Sequence, residues 1–258
     1  MIQSVERAAR ILEVLGEDSR LGVTELSARL GLAKTTVYGL LRALELHGLV
    51  EQDLETGKYR LGPALLQLGN LYLDNHEVRA RSMRWAEQLA SRAQEAVRVG
   101  VLTASNVLIV HHVFRPDNSV QILEVGAAIP WHACAIGKAI GANVDPARLA
   151  ELEQAELPRL TGNTITVKRS LDADLKRART AGVAVDDQEA IVGEAGIAAA
   201  VFDHRGTAVG AIGVTGAVER ILPDGGPDAE MVAAVKEAAR GLSRELGAGR
   251  LGSGIRST

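Results

Sequence analysis

The chain has 258 residues, of which 47% are apolar and 24% are charged, and its net charge is −3. These values describe a globular protein of one large or two ordinary domains and exclude a general polycation. Cys134 is the sole cysteine, which excludes an intramolecular disulfide framework and favours a reducing compartment. The charged N-terminus does not resemble a signal peptide, and no apolar run could span a bilayer. We therefore expect a cytoplasmic protein without a membrane partner.

The first predicted helix runs from about Ser4, a candidate N-cap, to Leu15. Its apolar residues recur at helical spacing and predict one buried face. That face comprises Val5, Ala8, Ile11, Leu12 and Leu15.

Residues 26–61 carry the most informative pattern. A short helix over 26–30 is followed by the turn Gly31-Leu32-Ala33, a second helix over 34–46 and Gly48 as the helix stop. Two strands, 50–53 and 58–61, then flank Glu55-Thr56-Gly57 in a hairpin. This order is typical of a winged helix-turn-helix and indicates DNA binding.

The second helix of this pair has one apolar and one polar face. Val37, Leu40, Leu41 and Leu44 form the apolar stripe, while Thr35, Gly39 and Arg42 project from the opposite side. Such a face suits a major groove, where an arginine can bond a guanine. The predicted DNA-binding residues are Lys34, Thr35, Thr36, Tyr38 and Arg42 of the helix, with Lys58 and Arg60 of the hairpin meeting phosphate.

The charge of this region is not basic. Residues 1–61 contain eight Lys and Arg against nine Asp and Glu, a net charge of −1. Because phosphate neutralisation supplies most non-specific affinity, one copy should bind weakly. The sequence therefore predicts an oligomer on a repeated or palindromic operator.

An apolar segment, 63–74, is predicted to be a connecting helix that ends near Asn75 and buries itself against another surface such as a partner subunit. A helix over 78–95 opens a second domain. Predicted strands follow at 97–102, 107–114, 120–125, 183–185, 196–202 and 208–215, and predicted helices at 137–143, 147–154, 171–181 and 228–246. The fold class is α+β. The predicted parts are a DNA-binding domain, 1–62, a linker helix, 63–77, a second domain, 78–248, and a flexible tail, 249–258.

The loop Pro130-Trp131-His132-Ala133-Cys134 allows three interpretations. A thiol nucleophile needs a nearby base and an orienting group, and a metal site with His111 or His112 needs three or four ligands. The spacing of His132 and Cys134 satisfies neither requirement, so a core histidine and a buried cysteine are favoured. We predict no catalytic residue, no metal site and no cofactor, and hence no enzyme.

Asp186-Asp187-Gln188-Glu189 could be an acid–base pair, a solvated turn or part of a ligand site. We favour the third interpretation, with Asp186 bonding ligand hydroxyls or pocket amides in its charged form. The glycines at 193, 196, 210, 213 and 216 contain no nucleotide fingerprint and indicate close backbone approach.

Several segments together resemble the IclR family of bacterial transcription regulators over residues 3–250. They are Ser4-Val5-Glu6-Arg7-Ala8, Gly31-Leu32-Ala33-Lys34-Thr35-Thr36-Val37, Lys58-Tyr59-Arg60-Leu61-Gly62, His132-Ala133-Cys134-Ala135-Ile136-Gly137-Lys138-Ala139, residues 181–189 and residues 211–216. Residues 72–74, 76–81, 111–117 and 216–220 are most similar to the glycerol-operon repressors of actinomycetes.

The resemblance implies a dimer made through the DNA-binding domains, often paired into a tetramer, and a GAF-like domain that binds a small-molecule effector. It places the effector at Ile129, Ala135, Ile136, Asp186, Gly196, Gly213 and Thr215. Three positions depart from the family pattern. Gly39 replaces a common arginine, and Gly196 and Gly213 stand where acid-binding members carry cysteine and serine, which predicts a bigger or differently polar ligand.

The expected function is a repressor of glycerol or related carbon-source genes, released from double-stranded operator DNA by a metabolite such as glycerol 3-phosphate. A regulator of aromatic-acid or short-chain-acid catabolism is the alternative within this class. A metabolite-binding module or enzyme with a vestigial helix-turn-helix is the alternative outside it.

Overall fold

The computed structural model describes residues 2–249, and the chain divides into two units, Met1–Asn75 and His76–Thr258. The predicted tail lies outside the described residues except for Gly249. The first unit contains helices α1 (Gln3–Glu17), α2 (Val23–Leu30), α3 (Lys34–Leu46) and α4 (Ala64–Asp74) and strands β1 (Val50–Gln52) and β2 (Tyr59–Leu61).

The three N-terminal helices and the β1–β2 hairpin share one core. The fully or nearly fully buried side chains include Ile11 of α1, Leu26 of α2, Leu41 of α3 and Tyr59 of β2. Tyr59 pairs with Gln52 across the antiparallel hairpin. This arrangement is a winged helix-turn-helix, as the sequence predicts.

The first helix differs from its prediction at its N-terminal end. It begins at Gln3, and its N-cap is Ile2, whose carbonyl oxygen accepts the amides of Val5 and Glu6. Ser4 is therefore not the N-cap. Val5 is 64% exposed rather than buried, because the core contacts this helix further along, at Ile11 and Leu15.

The turn between α2 and α3 is fixed by local backbone chemistry. Gly31 has φ +65°, a left-handed conformation that favours glycine, and its amide donates to the carbonyl of Ser27. The Ser27 hydroxyl donates to the carbonyl of Leu32 at 2.6 Å. These bonds hold the start of α3 in place.

Helix α4 has no buried residue in this chain. Leu66, Leu68 and Leu71 are 69%, 56% and 59% exposed. The predicted burial of this helix is therefore not provided by the described residues of a single chain.

The second unit is a six-stranded antiparallel sheet with helices on both faces, which confirms the α+β class. Its strands are β3 (Ala96–Thr103), β4 (Asn106–Val113), β5 (Ala128–Pro130), β6 (Ala184–Asp187), β7 (Glu194–Phe202) and β8 (Ala208–Ala217). Its helices are α5 (Glu77–Ala93), α6 (Ala135–Gly141), α7 (Pro146–Gln154), α8 (Lys168–Ala181), α9 (Val218–Ile221) and α10 (Ala229–Glu245). The strand order is β5-β4-β3-β8-β7-β6.

The two central strands show how the layers are arranged. A Cβ built on Gly100 of β3 would meet Ile136 of α6, whereas one on Gly210 of β8 would meet Val78 of α5. Gly100 pairs with Ala211, so Gly100 and Gly210 point to opposite faces. Helix α6 thus covers one face, and α5 covers the other together with α10, which packs against α5, β7 and β8.

The predicted strand at 120–125 is wrong. These residues have no regular secondary structure, and Val120 and Ile122 are 100% and 82% exposed. The free edge of β4 is instead paired with the short strand β5, whose residue Ile129 lies opposite Val107. The sequence analysis also missed helix α9 and placed the start of α8 three residues too late.

No helix among residues 2–249 combines the length and the apolar character needed to cross a membrane.

Candidate DNA-binding surface and effector cavity

The outward face of α3 is exposed. Lys34, Thr35, Tyr38 and Arg42 are exposed, and Thr36 is half-buried. Val37, Leu41 and Leu44 point into the core on the opposite side. The helix therefore offers its small polar face and one arginine to solvent, together with Gly39, where an added Cβ would meet open space.

Three of the predicted DNA-binding cations form ion pairs within the first unit. Arg42 contacts Glu45 at 2.8 Å, Lys58 contacts Glu25 at 3.4 Å and Arg60 contacts Glu51. These pairs are exposed, so each contributes little to stability and can be exchanged for phosphate at low cost. The carboxylates nevertheless lower the positive potential of this surface.

A buried cavity lies between the sheet and the N-terminal end of α6. It brings together all seven residues predicted for the effector site. Its lining is Arg98, Ile109, Ile129, Cys134, Ala135, Ile136, Asp186, Gly196, Ala198, Gly213, Val214 and Thr215. The cavity is narrow, with a water-accessible volume of about 20 Å³, which is room for about one water molecule.

Gly196 and Gly213 do not enlarge this cavity equally. A Cβ at position 213 would lie 2.4 Å from the Ile197 carbonyl oxygen, so neighbouring backbone already fills that space. A Cβ at position 196 would lie 3.3 Å from the nearest atom and would face Asp186. The expected room for a bigger ligand is therefore absent from this conformation.

Arg98 is the charged cavity residue that the sequence analysis missed. It lies on β3, and its side chain is only 11% exposed. Its guanidinium makes a bidentate ion pair with Glu124 and donates to Glu194 at 2.8 Å and to the Thr215 hydroxyl at 3.2 Å. Burial lowers the pKa of Arg98, but hydrogen bonds and Coulombic attraction from Glu124 and Glu194 outweigh burial and raise it, so the group stays charged.

Asp186 is the acidic group of the cavity. Burial raises its pKa to about 7, although a hydrogen bond from the Glu189 amide, 2.8 Å away, acts in the opposite direction. At neutral pH the carboxyl is therefore only partly ionised, which corrects the expectation of a charged group.

The 186–189 turn is held by an ion triad in which Lys138 and Glu189 are buried and Asp174 is partly exposed. Lys138 of α6 is 1% exposed and contacts Asp174 of α8 at 2.8 Å and also Glu189. Burial lowers the pKa of Lys138, but Coulombic attraction and hydrogen bonds from Glu189 and Asp174 together outweigh burial and raise it. The triad ties α6 and α8 to the turn that presents Asp186.

Cys134 and His132 have structural contacts. The Cys134 sulfur caps α6 by accepting the Gly137 amide at 3.4 Å, and burial raises the thiol pKa to about 12, so no thiolate forms near neutral pH. His132 Nε2 contacts the Pro158 carbonyl at 3.1 Å. Within residues 2–249, no group of three or more His, Cys, Asp or Glu side chains is placed to hold a metal ion.

Comparison with known proteins identifies both units. Residues 4–54 match the IclR helix-turn-helix domain, and residues 70–244 match the bacterial transcriptional regulator IclR C-terminal domain. The glycerol operon regulatory protein of Streptomyces griseus is 50% identical over 96% of this chain and 98% of that protein. The protein of the same name from Streptomyces coelicolor is 48% identical over the same shares.

The fold also matches solved structures. The crystal structure of an IclR transcriptional regulator from Alicyclobacillus acidocaldarius has a TM-score of 0.80 at 27% identity, covering 96% of this chain and 100% of that one. A winged helix-turn-helix joined to an effector domain with an internal cavity defines a ligand-responsive DNA-binding transcription regulator. The chain belongs to the IclR family.

Proposed function

We propose that this protein represses genes of glycerol or related carbon-source metabolism and leaves its operator when a small metabolite, such as glycerol 3-phosphate, enters the effector cavity. The observation that carries the proposal is the identity of about half of the residues, along nearly the whole chain, with two glycerol operon regulatory proteins. Because a transcription regulator meets its operator DNA inside the cell, we place the protein in the cytoplasm.

Operator contact is assigned to α3 and the β1–β2 hairpin. Lys34, Thr35, Thr36, Tyr38 and Arg42 would enter the major groove, and Lys58 and Arg60 would bind phosphate. Effector contact is assigned to Ile129, Ala135, Ile136, Asp186, Gly196, Gly213 and Thr215, which line one cavity.

An oligomer is part of the proposal. The exposed leucines of α4 leave apolar surface on this helix, and the first unit lacks the positive charge for tight DNA binding as a single copy. A homodimer through this helix, or a pair of dimers, would place two α3 helices on a repeated operator. Light scattering of the wild type and of Leu71→Asp tests this assembly, and an unchanged monomeric mass in both would contradict it.

Release from the operator follows from linkage. A metabolite that binds the DNA-incompetent arrangement more tightly shifts the population toward that arrangement. Helix α4 connects the DNA-binding unit to the effector domain in the chain and would carry the change.

Fluorescence anisotropy tests the proposal directly. The full chain is titrated onto labelled duplex from its own upstream region at stated salt, and glycerol 3-phosphate, glycerol, pyruvate and an aromatic acid are then added separately. Release by glycerol 3-phosphate or glycerol supports the proposal, whereas release by only pyruvate or the aromatic acid contradicts the glycerol assignment. Absence of specific binding would remove the operator function.

Arg42→Ala refines the test of the DNA surface. Loss of this side chain should weaken specific binding by about 1–3 kcal/mol if it bonds a base. Arg10→Ala is the matched control, because Arg10 is also exposed but lies on α1. Equal operator affinity of both variants would show that Arg42 does not contact the operator bases.

A further inference from the structure

The segment between β4 and β5, residues 114–127, borders an outer cleft beside the effector cavity, and one of its charged groups pairs with an arginine that lines the cavity. Glu124 of this segment forms the bidentate ion pair with Arg98. Its backbone amide donates to His112 Nδ1 at 3.2 Å. Burial lowers the pKa of His112, so the ring stays neutral near pH 7 and its nitrogen can accept.

Arg98 stands at the boundary between two spaces. It lines the inner cavity with Asp186, and it also lines an outer cleft of about 340 Å³ bordered by Ser119, Gln121 and Glu124. Thr215 likewise lines both spaces. A ligand entering the narrow cavity from this cleft would therefore meet the guanidinium and the Glu124 carboxylate first.

The partners of Arg98 differ in how firmly they are held. Glu194 and Thr215 lie on β7 and β8, which pair along their whole length in the sheet. Glu124 lies in a segment without regular secondary structure, where Val120, Ile122 and Leu123 are 100%, 82% and 61% exposed. Because these apolar side chains are mostly exposed in the observed position, moving this part of the segment removes little hydrophobic stabilisation.

We propose that Arg98 binds the anionic group of the effector and that Glu124 occupies this position in the effector-free protein, so that an incoming phosphate or carboxylate displaces Glu124 and releases segment 114–127. The exchange conserves charge, because one anion replaces another on a guanidinium that Glu194 continues to contact. Addition of a ligand anion without loss of Glu124 would place three negative groups around one cation, which is unfavourable at a site this buried. This inference rests on the proposed function only in taking the cavity as the effector site.

Calorimetric titration with glycerol 3-phosphate, inorganic phosphate and pyruvate tests the anion site, with glycerol as the uncharged probe. Arg98→Gln should weaken glycerol 3-phosphate binding at least about tenfold, since it removes a bidentate charge-assisted contact. Glu124→Gln should tighten binding by about threefold to tenfold, since the competing charge is gone. Glycerol affinity should stay the same in both variants. Glu237→Gln is the matched control, because that carboxylate also pairs with an arginine, Arg92, but lies on α10 away from the cavity lining.

Hydrogen exchange reports on the segment independently of affinity. Glycerol 3-phosphate should accelerate exchange of residues 114–127 in the wild type, and Glu124→Gln should do so without ligand. Unchanged affinity and exchange in Glu124→Gln would overturn the proposal, as would absence of binding of all three anions to both wild type and Glu124→Gln.

The two proposals fail separately. Operator release by glycerol 3-phosphate that survives Arg98→Gln would leave the regulatory function standing and refute the anion site. If anion binding depends on Arg98 and accelerates hydrogen exchange of segment 114–127, but the protein binds no operator, the anion site would stand and the regulatory function would be refuted.

Discussion

Replacement of the buried cavity carboxylate, Asp186→Asn, should raise the free energy of unfolding at neutral and alkaline pH and leave it nearly unchanged near pH 4. Burial raises the pKa of Asp186 to about 7 from an ordinary 3.8. The folded state therefore holds this proton more tightly than the unfolded state. Its contribution to stability is complete below pH 3.8, falls as pH rises toward 7 and is lost above that value.

The size of the effect follows from these two values. The difference between 3.8 and about 7, at about 1.36 kcal/mol for each pKa unit, gives an upper limit of about 4 kcal/mol. Asparagine keeps an oxygen that can accept the Glu189 amide but does not ionise. The stability difference between variant and wild type should thus grow from near zero at pH 4 to a few kcal/mol at pH 8.

Urea denaturation at a series of pH values between 4 and 8 measures this difference. Subtracting the wild-type curve removes the contributions of other titrating groups. Asp187→Asn is the control, because Asp187 is the next residue of β6 and is exposed. A difference that stays constant with pH, or shrinks as pH rises, would refute the reasoning.

Three other predictions test separate parts of the structure. Lys138→Met should lower stability by about 3–5 kcal/mol, because it leaves the buried Glu189 carboxylate without its cation, whereas the partly exposed Asp174 keeps its contact with Arg177; a variant with wild-type melting temperature would contradict this role. Gly213→Ala should destabilise the protein more than Gly196→Ala, because its Cβ would lie 2.4 Å rather than 3.3 Å from the nearest atom; equal denaturation midpoints would count against the packing argument. Glu51→Gln should tighten binding to non-specific duplex and steepen its salt dependence by up to about one counterion, because it frees Arg60 for phosphate; an unchanged salt slope in anisotropy would contradict this expectation.

The DNA-binding unit was predictable because its signals are local. The apolar stripe of α3 and the left-handed Gly31 lie within a few residues of the structure they specify, and the predicted bounds of α3, 34–46, agree with the structure. The strand predicted at 120–125 fails for the opposite reason. Its apolar residues look like a strand, but a strand also needs backbone partners from elsewhere in the chain. Strand β4 pairs instead with β5 over residues 106–108, and Val120 and Ile122 stay exposed.

The residues that line the cavity were also predicted only in part. The family resemblance names seven lining residues, and the structure places them together. Arg98 was missed because Val97 and Val99 on either side of it make it look like the outward residue of a half-buried strand. Its role depends on Glu124, Glu194 and Thr215, which lie far along the chain. The signal available in the sequence was an arginine inside an otherwise apolar strand, which indicates a charged group close to the core.

The pairing of β3 with β8 has a consequence for how the chain folds during synthesis. These central strands come from opposite ends of the effector domain, so the sheet is incomplete until residues near Ala217 have left the ribosome. The core of the DNA-binding unit is built from residues that all lie between positions 11 and 59 of the chain. This unit can therefore fold while the effector domain is still being synthesised. We therefore expect that a chain truncated before β8 has a folded DNA-binding unit and an effector domain that does not fold.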